Sequence, residues 1–210
     1  MNKPKEKQTI AQVIAREGIK TILFCIILIL VFIFIHLEIL ALFVFIVLIF
    51  VVFIFRNTER IASYREKDSI LAPCDGIIKD IIIKDNSTSI KIKINFFDNG
   101  IFRTPTYIDK IESKFRYGLF IKNNSSLKEL LNTKHFIKGI MEDKTIYTIT
   151  LMPEIWNKAN IYEIDSAFAG DRLGFMKYGY FILTLYKPCK INVQIGDNLF
   201  AGETLIGKLL

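Results

Sequence analysis

Few side chains in this chain of 210 residues have the type and spacing that chemistry requires. Three cations, Arg103, Arg172 and Lys177, are candidates for holding a phosphodiester or a carboxylate, because both are anionic oxygen clusters that charge-assisted N–H donors recognise. The alternative is that they are solvated surface charges. Asp75-Gly76 reads as a turn, and Gly174, Gly179 and Gly196 read as turns or as close backbone approaches. His36 lies between two apolar runs as a polar cap facing water or headgroups, and His135 reads as an exposed loop histidine. Cys25, Cys74 and Cys189 are odd in number, far apart and at no metal-ligand spacing, so they read as reduced structural thiols and no metal site is expected.

Those residues need elements to hold them, and the N-terminal region is the first. Residues 21–35 (TILFCIILILVFIFI) and 39–55 (ILALFVFIVLIFVVFIF) carry no charge, and only His36, Leu37 and Glu38 separate them. One helix through the whole stretch would run about 50 Å, well beyond a hydrocarbon core of about 30 Å, so two helices turning at residues 36–38 are expected. Each arm is slightly short of a full span, which bilayer thinning or snorkelling flanks would accommodate; a re-entrant wedge is the alternative. Basic residues flank both sides, with Lys3, Lys5, Lys7, Arg16 and Lys20 before and Arg56, Arg60, Arg65 and Lys67 after. Positive flanks stay inside, so a multi-pass protein of the inner membrane with both termini cytoplasmic is expected.

The net charge of +7 calls for an anionic partner. The basic residues are scattered between apolar ones rather than gathered with aromatics on one face, which argues against nucleic acid and for a phospholipid surface, with a protein partner also open.

Beyond a polar linker at 56–70, the chain reads as β-rich. GIIKDIIIK at 76–84 and the alternating residues 89–94 predict strands, as do 145–152, 161–164, 180–186 and 191–194. Turn signals stand at 85–87, 98–100 and 123–126, and residues 126–133 could form a helical turn or two. The final stretch, GDNLFAGETLIGKL, reads as a hairpin with turns at Gly196-Asp197 and Gly202-Glu203 and with Leu199, Leu205 and Ile206 facing a core. The expected organisation is therefore a basic N-terminus at 1–20, a transmembrane α-helical hairpin at 21–55, the linker, and one all-β sandwich or barrel-like cytoplasmic domain at 71–210.

Three segments of that domain, in order, resemble one family. LAPCDGII at 71–78 is similar to an S-P-A-D-G-x-V segment, FDNGIFRTP at 97–105 to a region ending H-V-N-R-A-P, and GDRLGFMKYGY at 170–180 to G-x-R-x-G-x-I-R-F-G-S. Tyr186-Lys187-Pro188, Gly196-Asp197 and the AGET of 201–204 continue the likeness, and NTKH at 132–135 is a weaker match. Together they resemble the phosphatidylserine decarboxylases, in particular short bacterial and archaeal forms with a membrane hairpin.

The resemblance implies a lyase of phosphatidylethanolamine synthesis that makes its own pyruvoyl cofactor by breaking a Gly-Ser bond, with an Asp and a His activating the Ser. Asp75 falls at the Asp position and Arg103 is kept, but Gly100 stands at the His position and Tyr180 at the Ser position. A phenol oxygen at the far end of a ring cannot attack the peptide bond before it, no Gly-Ser dipeptide occurs in the chain, and a rescue by Thr184 is remote. The expectation is a pseudoenzyme without a pyruvoyl group, binding a phospholipid headgroup or a partner. The alternatives are an active decarboxylase with atypical maturation and a membrane-tethered lipoyl- or biotinyl-like β adaptor.

Overall fold

The computed structural model describes residues 14–57, 60, 68–119, 121, 130–142, 144–154, 159–162, 164 and 166–210. The chain divides into two compact units, a helical one ending at Glu59 and a β domain from Arg60 to Leu210.

In the helical unit α1 spans Arg16–Phe34 and α2 spans Glu38–Ile54. The first helix starts earlier than the apolar run alone suggested: Arg16 to Lys20 continue it, and Gly18, a weak helix former, is accepted where it packs closely on Phe55. His36 ends α1 in the left-handed conformation at φ 59°, a region in which His is enriched among non-glycine residues. Its N–H donates to Ile33 O at 3.1 Å and that of Leu37 to Phe32 O at 2.9 Å, which closes the helix end as a Schellman motif. At the open end Ala15 N–H donates to Phe55 O at 2.8 Å, and Ile14 bridges Arg56. Gly18, Cys25, Ala41 and Val44 are buried between the helices, small enough to let the backbones approach. The outer faces are apolar and open: Phe34 and Ile39 are 85% and 87% exposed.

The β domain contains thirteen strands among the described residues, paired antiparallel in three sheets. The large sheet runs β12 (Asn198–Leu199), β2 (Gly76–Lys84), β3 (Ser87–Ile94), β10 (Gly179–Leu185), β7 (Lys144–Pro153), β6 (Lys134–Met141) and β5 (Lys110–Arg116). A second sheet joins β1 (Ser69–Leu71), β13 (Leu205–Leu209) and β11 (Cys189–Ile191), and a third joins β4 (Ile101–Arg103), β9 (Arg172–Phe175) and β8 (Asn160–Ile161).

Alternation sets the inner face. In β3 Ile90, Ile92 and Ile94 are fully buried while Lys91 and Lys93 point the other way, and in β10 Phe181, Leu183 and Leu185 do the same. Phe102 of the third sheet meets Phe181 edge-on at 6.0 Å, and Ile70 and Ile206 of the second join the same core. Asp85-Asn86 is the two-residue hairpin turn between β2 and β3, and Asn99 Oδ1 takes the Ile101 N–H at 3.1 Å in the turn at 98–100.

Several expectations are corrected. The final stretch is no hairpin: β12 pairs with β2, while β13 pairs with both β1 and β11, because the turn at 200–203 sends the chain around residues 69–77. Leu199 and Ile206 are buried as expected, but Leu205 is only half-buried. The strands expected at 161–164 and 191–194 shrink to β8 and shift to β11. His135 is a buried strand residue in β6, its ring 4.3 Å from Phe115 and its Nε2 accepting the Ala159 N–H at 3.5 Å. The turn at 123–126, most of the linker, and most of the proposed helical turns at 126–133 lie outside the described residues; Leu130 and Leu131 are helical.

Candidate functional site

Asp75 sits between β1 and β2 because the C-terminal wrap holds it there. Ala72 N–H donates to Thr204 O and Gly202 N–H to Ala72 O, each at 2.8 Å, so the segment before Asp75 is laced to the AGET turn. The Asp75 carboxylate accepts the Ala201 N–H at 2.8 Å and a two-pronged ion pair from Arg60, whose Nη2 lies 3.0 Å from Oδ2. Gly76 follows at φ 149°, and a Cβ there would fall 2.4 Å from Lys93 O, so the Asp-Gly pair answers a close approach to β3.

Arg103, at the end of β4, is buried beside it. Its N–H donates to Pro73 O at 2.6 Å and its Nη1 to Gly170 O at 2.8 Å. Gly202 faces it, where a Cβ would meet Arg103 Cδ at 3.0 Å. Burial, and then the neighbouring charges of Arg172 and Arg60, lower its guanidinium to about 10, so it remains cationic at neutral pH; Asp75 and Asp171 act in the opposite sense. Arg172 is paired with Arg103 across β4 and β9. The structure thus brings Asp75, Arg103 and Arg172 together.

Lys177 has other neighbours, Asp98 and Phe96. It is buried, its Nζ donating to Asp98 O at 2.8 Å and standing 5.9 Å from the Phe96 ring. Cys74, next to Asp75 in the chain, is fully buried, and its thiol is pushed well up by burial and by the charges of Asp75 and Asp98.

The positions where the resemblance implies a base and a nucleophile are filled differently. Gly100 accepts the Met176 N–H at 2.7 Å through its carbonyl, and the Phe175 ring occupies its Cβ side, 2.7 Å from where a Cβ would lie. Gly179, at φ 144°, fits between β3 and β7, with Met152 O 2.2 Å from its missing Cβ. Tyr180 follows on the outward face, opposite Lys93 and Met152. Lys93 Nζ lies 4.3 Å from the centre of its ring and 4.0 Å from that of Tyr178, and pairs with Glu154 at 2.5 Å. Lys91 Nζ is 4.9 Å from the same Tyr180 ring. Thr184, the remote substitute, shares a hydrogen bond of 3.0 Å with Ser89.

Ile77 and Tyr180 both pair with Lys93, so β3 alone separates the Asp75 side from the Gly179-Tyr180 bond, two strand spacings or about 10 Å. Among the described residues no group of three or more His, Cys, Asp and Glu is placed to hold a metal ion.

Sequence reasoning missed Arg60, Glu203, Lys93 and Glu154. Arg60 looked like one more charge beside the membrane, and nothing local marks it as the partner of Asp75. Lys93 carried a faint signal, as a cation on the outward face of a strand with strict alternation.

An antiparallel β domain that wraps a buried Asp-Gly turn and a buried Arg beneath its C-terminal segment is the class of structure defined so far. The family profile described as phosphatidylserine decarboxylase matches residues 47–207. Among curated proteins, the chain is similar to the phosphatidylserine decarboxylase proenzyme of Carboxydothermus hydrogenoformans, 28% identical over 75% of this chain and 79% of the relative. It is likewise similar to the proenzyme of Desulfotalea psychrophila, 27% identical over 94% and 97%, and to that of Geobacter metallireducens, 24% identical over 75% and 77%. No solved structure matches. The chain belongs to the phosphatidylserine decarboxylase family.

Proposed function

We propose that this chain is a membrane-anchored, uncleaved member of its family that binds a phospholipid headgroup, or a protein partner, without making a pyruvoyl group. The observation that carries the proposal is Tyr180. Its reactive oxygen lies across the ring from the Gly179 carbonyl, and the ring is held between Lys91 and Lys93. The pyruvoyl cofactor of the family does not fit these residues: the precursor hydroxyl is missing, and Gly100 brings no base. Asp75 is engaged by Arg60 and Ala201 instead.

Headgroup binding is assigned to the cations Arg103, Arg172 and Lys177. A guanidinium pair can take the phosphate of a headgroup through charge-assisted N–H donors. For the anchor, α1 is the one described helix long and apolar enough to cross a membrane, and only 11% of its most apolar window is covered by protein, unlike a core helix. The apolar α2, at 17 residues, would return the chain, leaving both basic flanks on the cytoplasmic side of the inner membrane.

A denaturing gel with intact-mass analysis of the full chain tests the central claim. A single species of 24.3 kDa is expected. Fragments of about 20 kDa and about 3–4 kDa, the smaller with a blocked N-terminus, would instead establish an active decarboxylase with atypical maturation, the outcome that the relatives' description as proenzymes favours. Resistance of the chain to alkaline extraction from membranes tests the anchor.

A further inference from the structure

Two tight turns in the β domain are near copies of each other. Phe168-Ala169-Gly170-Asp171 and Phe200-Ala201-Gly202-Glu203 both read Phe-Ala-Gly-acid. In each, the N–H of the acid donates to the Phe carbonyl at 3.1 Å, and the glycine takes a positive φ, 88° and 76°, the pattern of a type II turn. In each the Phe N–H is capped by a side chain, Asp171 Oδ2 at 2.8 Å and Thr204 Oγ1 at 3.0 Å. The alanines are buried, and the phenylalanines are left 48% and 51% exposed.

The turns meet at their glycines. A Cβ on Gly202 would lie 3.9 Å from Gly170 Cα, and both glycines close on the buried Arg103. Phe200 is covered on one side by the Arg60 guanidinium at 5.3 Å, and Phe168 leans on Tyr107 at 5.4 Å. The charged groups here are balanced, with Arg60, Arg103 and Arg172 against Asp75, Asp171 and Glu203. The edge therefore offers two half-exposed apolar rings beside charged side chains, the combination by which Phe inserts at the boundary between headgroups and acyl chains.

We infer that this pair of Phe-Ala-Gly-acid turns is a bilayer-contacting edge of the β domain, with Phe168 and Phe200 entering the headgroup layer of a phospholipid membrane. The inference rests on the membrane-anchored reading above. A lipid surface is favoured over a protein because of the tether. Arg60 is six residues beyond Ile54, the last residue of α2, and is ion-paired to Asp75 on this edge. Six residues extend to about 20 Å at most, so the covalent chain itself keeps the edge within that reach of the end of the apolar helix.

The test uses the full chain in vesicles of phosphatidylcholine and phosphatidylglycerol at three to one. The single tryptophan, Trp156, is changed to Phe, and a tryptophan is introduced in turn by Phe168→Trp, Phe200→Trp, Ile83→Trp and Phe24→Trp. Ile83 is an exposed position on the β2–β3 hairpin, and Phe24 is an outward position on α1. With lipids brominated near the headgroup end of the chain, the probes at 168 and 200 are expected to be quenched about twofold or more over the probe at 83. Quenching at 24 without quenching at 168 and 200 overturns the inference and leaves the anchor standing. Probes at 168 and 200 that are shielded from aqueous acrylamide yet untouched by the brominated lipid would assign the edge to a protein partner and overturn it as well. An unquenched probe at 24 removes the anchored reading and the inference together.

Discussion

Two ends of the matched region, about 10 Å apart across β3, have fared differently. Around Asp75 the polar residues shared with the family motifs are buried and hydrogen-bonded: the carboxylate to Arg60 and Ala201, Arg103 to Gly170, and the backbone of 72–73 to Thr204, Gly202 and Arg103. Around Gly179 a glycine at φ 144° is packed between β3 and β7, and Tyr180 and Gly100 stand where the resemblance implies a Ser and a His. Tyr180 is packed under Lys91 and Lys93, and Phe175 closes over Gly100. On the proposed uncleaved reading, the contrast teaches that a scaffold can be retained by its own packing demands without the reactive groups. Asp75 and the glycines make contacts that the fold uses whether or not any bond is broken there.

If that is right, the largest losses should follow from disturbing the Asp75 end. Asp75→Ala strands Arg60 and the Ala201 N–H around a site whose side chains are only 10–14% exposed. Breaking a buried pair from one side costs about 3 kcal/mol or more, and a thermal melt of the purified full chain would register it. A variant that melts like the parent would show the carboxylate to be dispensable for structure and reopen a purely chemical role.

The glycine end breaks by a different mechanism. Gly179→Ala sets a Cβ against Met152 O in a backbone conformation that L-residues avoid, and a cost of about 3 kcal/mol is expected. Gly196→Ala is the control: its φ is 98°, but nothing lies within 4 Å of the added methyl, so only the conformational term of about 1 kcal/mol applies. Equal costs at the two positions would show that strain rather than the close approach of β7 governs Gly179.

Tyr180→Ser asks whether the nucleophile alone is missing. The change forfeits the stacking of Lys91 and Lys93 on the ring, worth about 1 kcal/mol, and restores a Gly-Ser bond. The chain is nevertheless expected to stay at 24.3 kDa on a denaturing gel, because Gly100 supplies no base and Asp75 is occupied about 10 Å away. Appearance of two fragments would mean that the site lacks only its hydroxyl.

Legibility in the sequence followed burial. Strands β2, β3, β7 and β10 have one face in the core, and their alternation places them to within a residue or two. Strand β5, KIESKFR, is an edge strand exposed on most of its length, so it carries no such period, and β9 is four residues interrupted by Gly174. The C-terminal pairing was illegible for another reason: β13 returns to β1 over more than a hundred residues, and local turn chemistry at 200–203 is equally compatible with a hairpin. The site was readable where motif and backbone demand coincide, at Asp75-Gly76, Arg103 and Gly179. It was unreadable where the partner is a distant charge, as with Arg60 on Asp75 and Glu154 on Lys93.

The smallest effect concerns Cys74, the neighbour of Asp75 in the chain. Burial, then Asp75 and Asp98, raise its thiol well above the ordinary range, so it stays neutral in the fold while an unfolded chain ionises near pH 8.5. For an acid whose folded value is raised, the stabilising contribution is complete below the unfolded value and is lost as pH climbs past it. The slope approaches about 1.4 kcal/mol per unit well above pH 8.5 and amounts to under about 1 kcal/mol at pH 9. Cys74→Ala should therefore flatten the alkaline limb of a stability profile by that amount, although the small cavity lowers the whole curve. In the native chain Cys74 should also resist alkylation at pH 9 while the half-buried Cys189 reacts. Rapid labelling of Cys74 under native conditions would place an opening beside Asp75 and Asp98, and the Asp75 end would then be the more mobile of the two rather than the more tightly packed.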